Sequence, residues 1–432
     1  MNAKCCPEMR SLISRRESLT KLARYSLAGV AAGALPAWMP RLAFSASGQP
    51  GPGDTLLCIF QRGGMDGLSA VVPYGDAFYY NIRPTIGVPA PGGGTNAAID
   101  LDGYFGMHPS LAPLKAIYDT GKLAVVHATG GIDPTRSHFD AQTFMEMATP
   151  GTKSIGTGWI GRHLESASWV NGSPFRAVGF GGAVPISLRG GGTLAPLAVY
   201  SLSDFGLDGR YDEVDNIRAQ LAQFYNVSSP AAILDKQAKL VFDTIDLIKT
   251  FSIDNYAPAN GAVYPDTYFG AALKQVALLV KAGVGLETAC VDIDGWDTHS
   301  DEGTNGGYFA QIAAEFAQGI SAFYTDLGAA MQNVVIVTMS EFGRCAGENA
   351  SRGTDHGHGN AMFVAGGGVN GGKVYTTWPT LAPDKLDDVD LAITTDQRDV
   401  LAELVDKRLK NSQTDKIFPG FTPNPPGIFT TA

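Results

Sequence analysis

Cysteine, charge and long apolar runs are all scarce in this chain of 432 residues. Its five cysteines form no C-x-x-C pair, which excludes a zinc knuckle, a thioredoxin-like redox motif and a dense disulfide framework. Cys58 and Cys290 sit inside apolar runs, the setting of a buried free thiol. Charged residues make up 17%, below the roughly 25% of an ordinary soluble protein. Positive charge is the scarcer sign, with 32 Lys and Arg against 42 Asp and Glu and a formal net charge of −10. An acidic chain offers no footprint for phosphate backbones, so a nucleic-acid partner is excluded. Also missing are a G-x-S-x-G elbow, an H-E-x-x-H helix and a strand-coupled G-x-G-x-x-G, the anchors of serine esterases, zincins and dinucleotide enzymes. Gly367 to Val374 lacks the Ser or Thr that would complete a phosphate loop, and reads as a glycine turn.

Glycine is abundant, at 53 residues against a usual ~7%, so a loop-rich globular body is expected. The charge is divided unevenly. Residues 1–47 hold seven basic residues against Glu8 and Glu17, net +5, which leaves −15 on the remainder. This basic head reads as an address outside the fold. Within it, Ser14-Arg15-Arg16-Glu17-Ser18-Leu19 resembles the twin-arginine export signal, although Ser18 and Thr20 stand where Phe and Lys are usual. The apolar stretch Tyr25 to Met39 follows. As a helix rising ~1.5 Å per residue it would reach only ~22 Å, short of a ~30 Å hydrocarbon core, and Pro36 and Pro40 would break it. No permanent membrane anchor is therefore expected. Ala43, Ser45, Ala46 and Ser47 offer small residues for cleavage. The signal implies the twin-arginine translocase as a partner, a periplasmic or secreted location, and a protein exported already folded.

Past the head, short apolar runs bounded by turn residues predict strands at Thr55 to Phe60, Leu123 to Ala128, Arg176 to Phe180, Leu197 to Ser201, Glu287 to Ile293, Val334 to Met339 and Ala361 to Ala365. Continuous apolar character is what a parallel sheet covered on both faces requires. Helical periodicity falls between them at Pro109 to Asp119, Phe139 to Ala148, Val214 to Tyr225, Ala231 to Phe251, Tyr268 to Ala282, Tyr308 to Met331 and Gln397 to Lys410. This alternation predicts an α/β three-layer sandwich with a central, mostly parallel sheet. Residues 48–432 read as one such domain, and residues 150–285, which interrupt the alternation, as a helical insertion or cap.

The candidate chemistry gathers around histidine. Four of the seven histidines stand within three residues of an aspartate, in Ser137-His138-Phe139-Asp140, Asp297-Thr298-His299 and Asp355-His356-Gly357-His358. Imidazole and carboxylate together suit zinc, manganese or iron more than calcium. Residues two apart on an extended segment face the same way, so Asp297 with His299, and His356 with His358, can each direct two groups at one ion. Asp297, His299 and Glu341 follow predicted strand ends, where ligands of open α/β sheets collect; His356 and His358 precede a strand, so their loop must fold back to join. Gln61-Arg62-Gly63-Gly64-Met65-Asp66-Gly67 is a glycine-rich turn able to bring Arg62 and Asp66 to the same edge. Ser137 heads a predicted helix and reads either as a nucleophile at the positive helix end or as a plain N-cap. For each of these residues the competing reading is a loop cap or a solvated turn.

Taken together and in order, the runs RGGMDGLS, RSHFDAQ, GWDTHS, SEFGR and GTDHGHG behind a twin-arginine signal resemble the bacterial "domain of unknown function 1501" family, from about Asp54 to Leu409. That family is grouped with the alkaline phosphatase and sulfatase superfamily. The resemblance implies a metal-dependent hydrolase fold in which Asp66, Asp297, His299, Glu341 and His356 or His358 hold one or two divalent ions, zinc or manganese. It further implies Ser137 as nucleophile, with His138 beside it; Arg62, Arg136 or Arg344 are expected to neutralise an anionic ester through bidentate contacts. Ser340-Glu341-Phe342 departs from the superfamily pattern, with Phe342 in place of a ligand histidine, which removes one ligand of a second ion. The expected function is an exported hydrolase of phosphate or sulfate esters. The alternative is a non-catalytic exported protein of the same fold that binds a glycan, an envelope component or a protein. A redox enzyme, the third class, lacks any nucleotide, haem or iron–sulfur motif.

Overall fold

Thr55–Gln61 forms strand β1, and its side chains show why a run apolar at every position can be a strand. Leu57 and Ile59 belong to one buried apolar cluster, while Leu56, Cys58 and Phe60 belong to another. Successive side chains of a strand point to opposite faces, so both faces of β1 are covered. The computed structural model describes residues 51–431 apart from positions 170, 193, 211, 212, 231, 252, 254 and 305. The twin-arginine segment lies outside the described residues.

Eight further strands join β1: β2 (Leu123–Gly130), β3 (Ala177–Phe180), β4 (Leu197–Val199), β5 (Thr288–Ile293), β6 (Val334–Met339), β7 (Asn360–Gly366), β8 (Val374–Tyr375) and β9 (Thr395–Asp396). The order is β8-β2-β7-β6-β1-β5-β3-β4, with β9 also paired to β2. β1 pairs parallel with both neighbours, Cys58 standing opposite Cys290 of β5 and Val337 of β6. Only β7 runs antiparallel, against β2 and β6. A separate three-stranded sheet joins Val71–Val72, Ile99–Asp100 and Gly106–Met107. The fold is therefore an α/β sandwich around a mixed, mostly parallel sheet.

Helices cover both faces. One layer is built from α1 (Ala112–Asp119), α6 (Tyr268–Ala282) and α7 (Tyr308–Leu327), whose Leu114, Phe269, Leu273, Phe316 and Phe323 join the cluster of Leu57 and Ile59. The other contains α2 (His138–Met147), α3 (Trp159–Ser166) and α8 (Gln397–Lys407), whose Met145, Trp159, Leu164, Leu401 and Leu404 join the cluster of Leu56 and Phe60. Between β4 and β5 lie α4 (Val214–Phe224) and α5 (Ile233–Lys249); α4 buries none of its residues. Residues 150–285 thus supply strands β3 and β4 as well as helices.

Several element ends differ from the sequence reading, and two of them have a clear backbone reason. α7 stops at Leu327 because Gly328 turns to φ +52°, and residues 328–333 continue as a 3-10 turn. α1 begins only at Ala112, since Pro109 to Leu111 form a 3-10 turn opened by His108. No helix among the described residues is long and apolar enough to cross a membrane.

Candidate metal centre

The carboxyl ends of β1, β2, β5 and β6 lie along one edge of the sheet, and the loops that leave them carry the chemistry. The fifth candidate loop, Asp355 to His358, precedes β7. Because β7 is antiparallel, its start lies on this same edge, and the loop reaches the others without folding back. The expectation of a returning loop is corrected by the strand's direction.

Asp297 is the point on which these loops meet. Its Oδ1 lies 3.1 Å from His299 Nε2 and 3.1 Å from His356 Nε2, and those two nitrogens are 2.9 Å apart. His138 Nε2 approaches the other oxygen, Oδ2, at 3.5 Å. His138, Asp297 and His356 present ligand atoms that all fall within 4.8 Å of one another.

On the far side of each imidazole, Nδ1 faces an oxygen: Glu341 Oε1 at 2.8 Å from His138, Asp355 Oδ1 at 3.0 Å from His299, and the Arg136 carbonyl at 2.8 Å from His356. Carbonyls and ionised carboxylates only accept. Each neutral ring must then carry its proton on Nδ1 and turn the Nε2 lone pair toward Asp297. With all three rings neutral, three lone pairs and a carboxylate converge, and Arg344 Nη2 donates to Asp297 Oδ1 at 2.6 Å. His138 Nε2 is buried without a hydrogen-bond partner. Facing lone pairs at such spacing repel unless a proton or a metal cation lies between them. Nitrogen and oxygen ligands about 2.0–2.2 Å from a zinc ion would stand at comparable spacing. The donor set fits a divalent ion of the zinc or manganese type.

Local backbone makes this convergence possible. Gly63 has φ +118°, and a Cβ there would lie 2.5 Å from the Asp297 amide nitrogen, so only glycine lets the β1 turn pass so close. Gly64, at φ +73°, would place a Cβ 2.6 Å from the Phe342 ring. The freed carbonyls of Gly63 and Gly64 accept from Arg344 at 2.5 and 2.7 Å, and Trp296 O and Thr354 O accept from the same guanidinium. Arg344, buried, therefore ties three of the converging loops together. Phe342 lies beneath the histidines, its ring 5.0 Å from that of His138 and 4.8 Å from that of His356.

The charges follow this geometry. Burial alone would raise the Asp297 carboxyl, but the hydrogen bond and charge of Arg344 outweigh it and hold the pKa below its ordinary value. Glu341 is likewise lowered against burial, by hydrogen bonds from His138 and Gln142. His138 is raised, chiefly by its bond to Glu341. His356 is lowered, chiefly by burial.

Not every candidate from the sequence reaches the centre. Asp66 is buried beside Arg83, which bonds both of its oxygens, while Leu68 N and Ser69 N donate to it as a helix N-cap. Glu341 faces His138 rather than Asp297, also accepting from Gly63 N and Gln142 Nε2 at 2.9 Å each. His358 turns away to Asp387 Oδ2 at 3.2 Å and the Asp133 carbonyl at 3.1 Å. Of the arginines, Arg62 pairs with Glu146 and Asp292 at 2.8 and 3.0 Å, and Arg136 with Asp390 at 2.7 Å. Only Arg344 reaches the cluster, and it does so through Asp297. Ser137 holds the N-cap position of α2, and its side chain makes no capping bond. Gln142 and Arg83 were not singled out by residue type or spacing, because their importance lies in partners distant in sequence, and Asp355 stood out only as a neighbour of His356 and His358. The Asp355-His356 adjacency was the one local signal.

A sequence family described as "Protein of unknown function (DUF1501)" matches residues 54–409, and the chain belongs to that family. No curated protein matches it. Among solved structures, the lipoteichoic acid synthase LtaP from Listeria monocytogenes is similar at 9% identity and a TM-score of 0.32, over 76% of this chain and 67% of that one. The C-terminal periplasmic domain of EcEptC from Escherichia coli, in complex with Zn, is similar at 10% identity and a TM-score of 0.36, over 92% and 94%. A putative sulfatase from Bacteroides thetaiotaomicron VPI-5482 is similar at 10% identity and a TM-score of 0.37, over 86% and 76%.

Proposed function

We propose that the protein is an exported, metal-dependent hydrolase of phosphate or sulfate esters, with one divalent ion, zinc or manganese, held by Asp297, His299 and His356 and completed by His138. The observation that carries this reading is the turning of three Nε2 lone pairs onto one carboxylate, each fixed by an oxygen at Nδ1. A bound divalent ion would supply Lewis-acid polarisation of the ester and activation of an oxygen nucleophile. A single ion is favoured because Asp66, which a second would need, is already neutralised by Arg83.

The chain's own residues would do the remaining work. The first-turn amides of α2, left without a capping side chain, bear partial positive charge suited to an anionic ester oxygen. Ser137, at that same helix start, would attack the ester or orient it. Arg344 keeps Asp297 ionised and its loop in place. Arg62 and Arg136 are committed to carboxylates, so an ester's charge would be met mainly by the ion and the helix amides.

That commitment also supports a second reading, in which the same centre binds a metal and an anionic envelope ligand without turnover. Elemental analysis of the purified full chain, followed by assays on a panel of phosphate and sulfate esters with His299→Ala and Ser137→Ala, separates the possibilities. One ion per chain, with turnover lost in His299→Ala, is the expected result. One ion without turnover of any ester would leave the binding reading. No ion in the chain after incubation with zinc or manganese would overturn both. Export by the twin-arginine route and a periplasmic or secreted location are part of this proposal, tested by following the precursor in cells with Arg15 and Arg16 replaced by Lys.

A further inference from the structure

Glu341 lies next to the proposed centre without facing it. Its side chain is fully buried, and a single oxygen, Oε1, receives three donors: His138 Nδ1 at 2.8 Å, Gln142 Nε2 at 2.9 Å and Gly63 N at 2.9 Å. Its other oxygen lies 3.4 Å from Ser340 Oγ, which also bonds the Gln61 carbonyl and the Met65 amide. His138 and Gln142 are four residues apart on α2, so both reach the same point from one helix face. An oxygen that already accepts from three donors is built to orient a neighbour.

We propose that Glu341 is a positioning residue. It fixes the His138 ring with Nδ1 protonated and Nε2 directed at Asp297, and adds negative charge that strengthens His138 as a ligand. This inference rests on the metal-binding reading above. Physically, the two other histidines are held differently. His299 relies on the exposed Asp355, and His356 on an uncharged carbonyl. Of the three, only His138 has an ionised and fully buried partner, and only its Nε2 is buried without a hydrogen bond. Removing Glu341 leaves that ring free to turn and its Nδ1 without an acceptor. Outer partners of ligating histidines are generally worth about 10–100-fold in metal affinity.

The test is a double-mutant cycle on the full chain, with zinc affinity measured by competition against a chromophoric chelator and site geometry read from the visible spectrum of the cobalt form. Glu341→Gln should weaken zinc about 10–100-fold and shift the cobalt bands. In a His138→Ala background the same substitution should change neither quantity further, because Glu341 acts through His138. Glu341→Asp, which keeps the charge, should recover part of the affinity; it also serves as the test if Glu341→Gln does not fold. Equal weakening in both backgrounds would make Glu341 a general structural residue and overturn the proposal. Wild-type affinity and spectrum in Glu341→Gln would overturn it as well. A wild-type chain that takes up neither zinc nor cobalt would instead sink the metal reading on which this one rests.

Discussion

His299 and His356 face each other through their Nε2 atoms at 2.9 Å, with Asp297 Oδ1 3.1 Å from each. Two imidazole nitrogens hold that distance with a proton or a metal cation between them. The pair comes from loops 57 residues apart in the chain. One loop follows a parallel strand and the other precedes the single antiparallel one, so the contact depends on the sheet's mixed topology.

Asp297 is the group touched by all three histidines. Asp297→Ala should remove zinc binding from the chain and lower ester turnover by at least ~100-fold, on the scale of losing a main charge-stabilising group. The check is metal content after dialysis alongside initial rates. Retention of one tightly held ion would place the site elsewhere.

Phe342 supports the rings from below and is buried. Phe342→Ala should cost about 3–5 kcal/mol in denaturant unfolding, as large-to-small core substitutions of phenylalanine do, and weaken zinc as well. Phe342→His tests a different point. It introduces the histidine that the sequence resemblance leads one to expect there, yet metal content should stay at one ion per chain, because Asp66 remains occupied by Arg83. Two ions in that variant would show that the Asp66 pair can open.

Asp66 and Arg83 form a buried pair, 1% and 0% exposed. Removing one partner leaves an uncompensated charge, so Arg83→Met should destabilise by about 3–5 kcal/mol. Asp66→Asn leaves the buried Arg83 charge uncompensated in the same way, so it should destabilise on a similar scale and leave zinc stoichiometry unchanged. Loss of the metal in a folded Asp66→Asn protein would return Asp66 to the ligand set.

Glu302 shares this buried neighbourhood. Ser69 Oγ donates to it at 3.2 Å and Thr354 Oγ1 at 2.7 Å. Burial first, then the charge of Asp66, push its pKa up from 4.5 to about 8. An acid raised on folding stabilises in its protonated form. Its contribution is therefore complete below about 4.5 and is lost as pH rises through about 8. Unfolding free energy, followed by urea titration from pH 5 to 9, should fall across that window, and Glu302→Gln should flatten the fall. An unchanged slope in the variant would assign the titration to another group.

Much of this architecture was legible in the amino-acid order. Runs such as Leu56 to Phe60, apolar at each position, announce strands covered on both faces. Motifs after Ile293 and Met339 lie where α/β sheets gather ligands, and the sheet does bring those loops to one edge. Residue type and spacing also picked out Asp297, His299 and the pair His356 and His358, without choosing within the pair. These are local properties, and local properties survive in one dimension.

The assignment of partners was not legible. Asp66 and Glu341 look like ligands by their place after strands, and His138 looks like a companion to Ser137. In the folded chain Arg83 claims Asp66, Glu341 turns to the Nδ1 of His138, and His138 offers Nε2 to Asp297. Each choice pairs residues from separate loops, with Gly63 and Gly64 shaped to allow the approach. Which carboxylate meets a cation, and which a histidine, depends on where a guanidinium and an antiparallel strand come to lie. The order of residues determined the strands and the chemical types at the edge; tertiary packing alone decided which atoms face one another, because charge and hydrogen bonding act over a few ångströms of space and not along the chain.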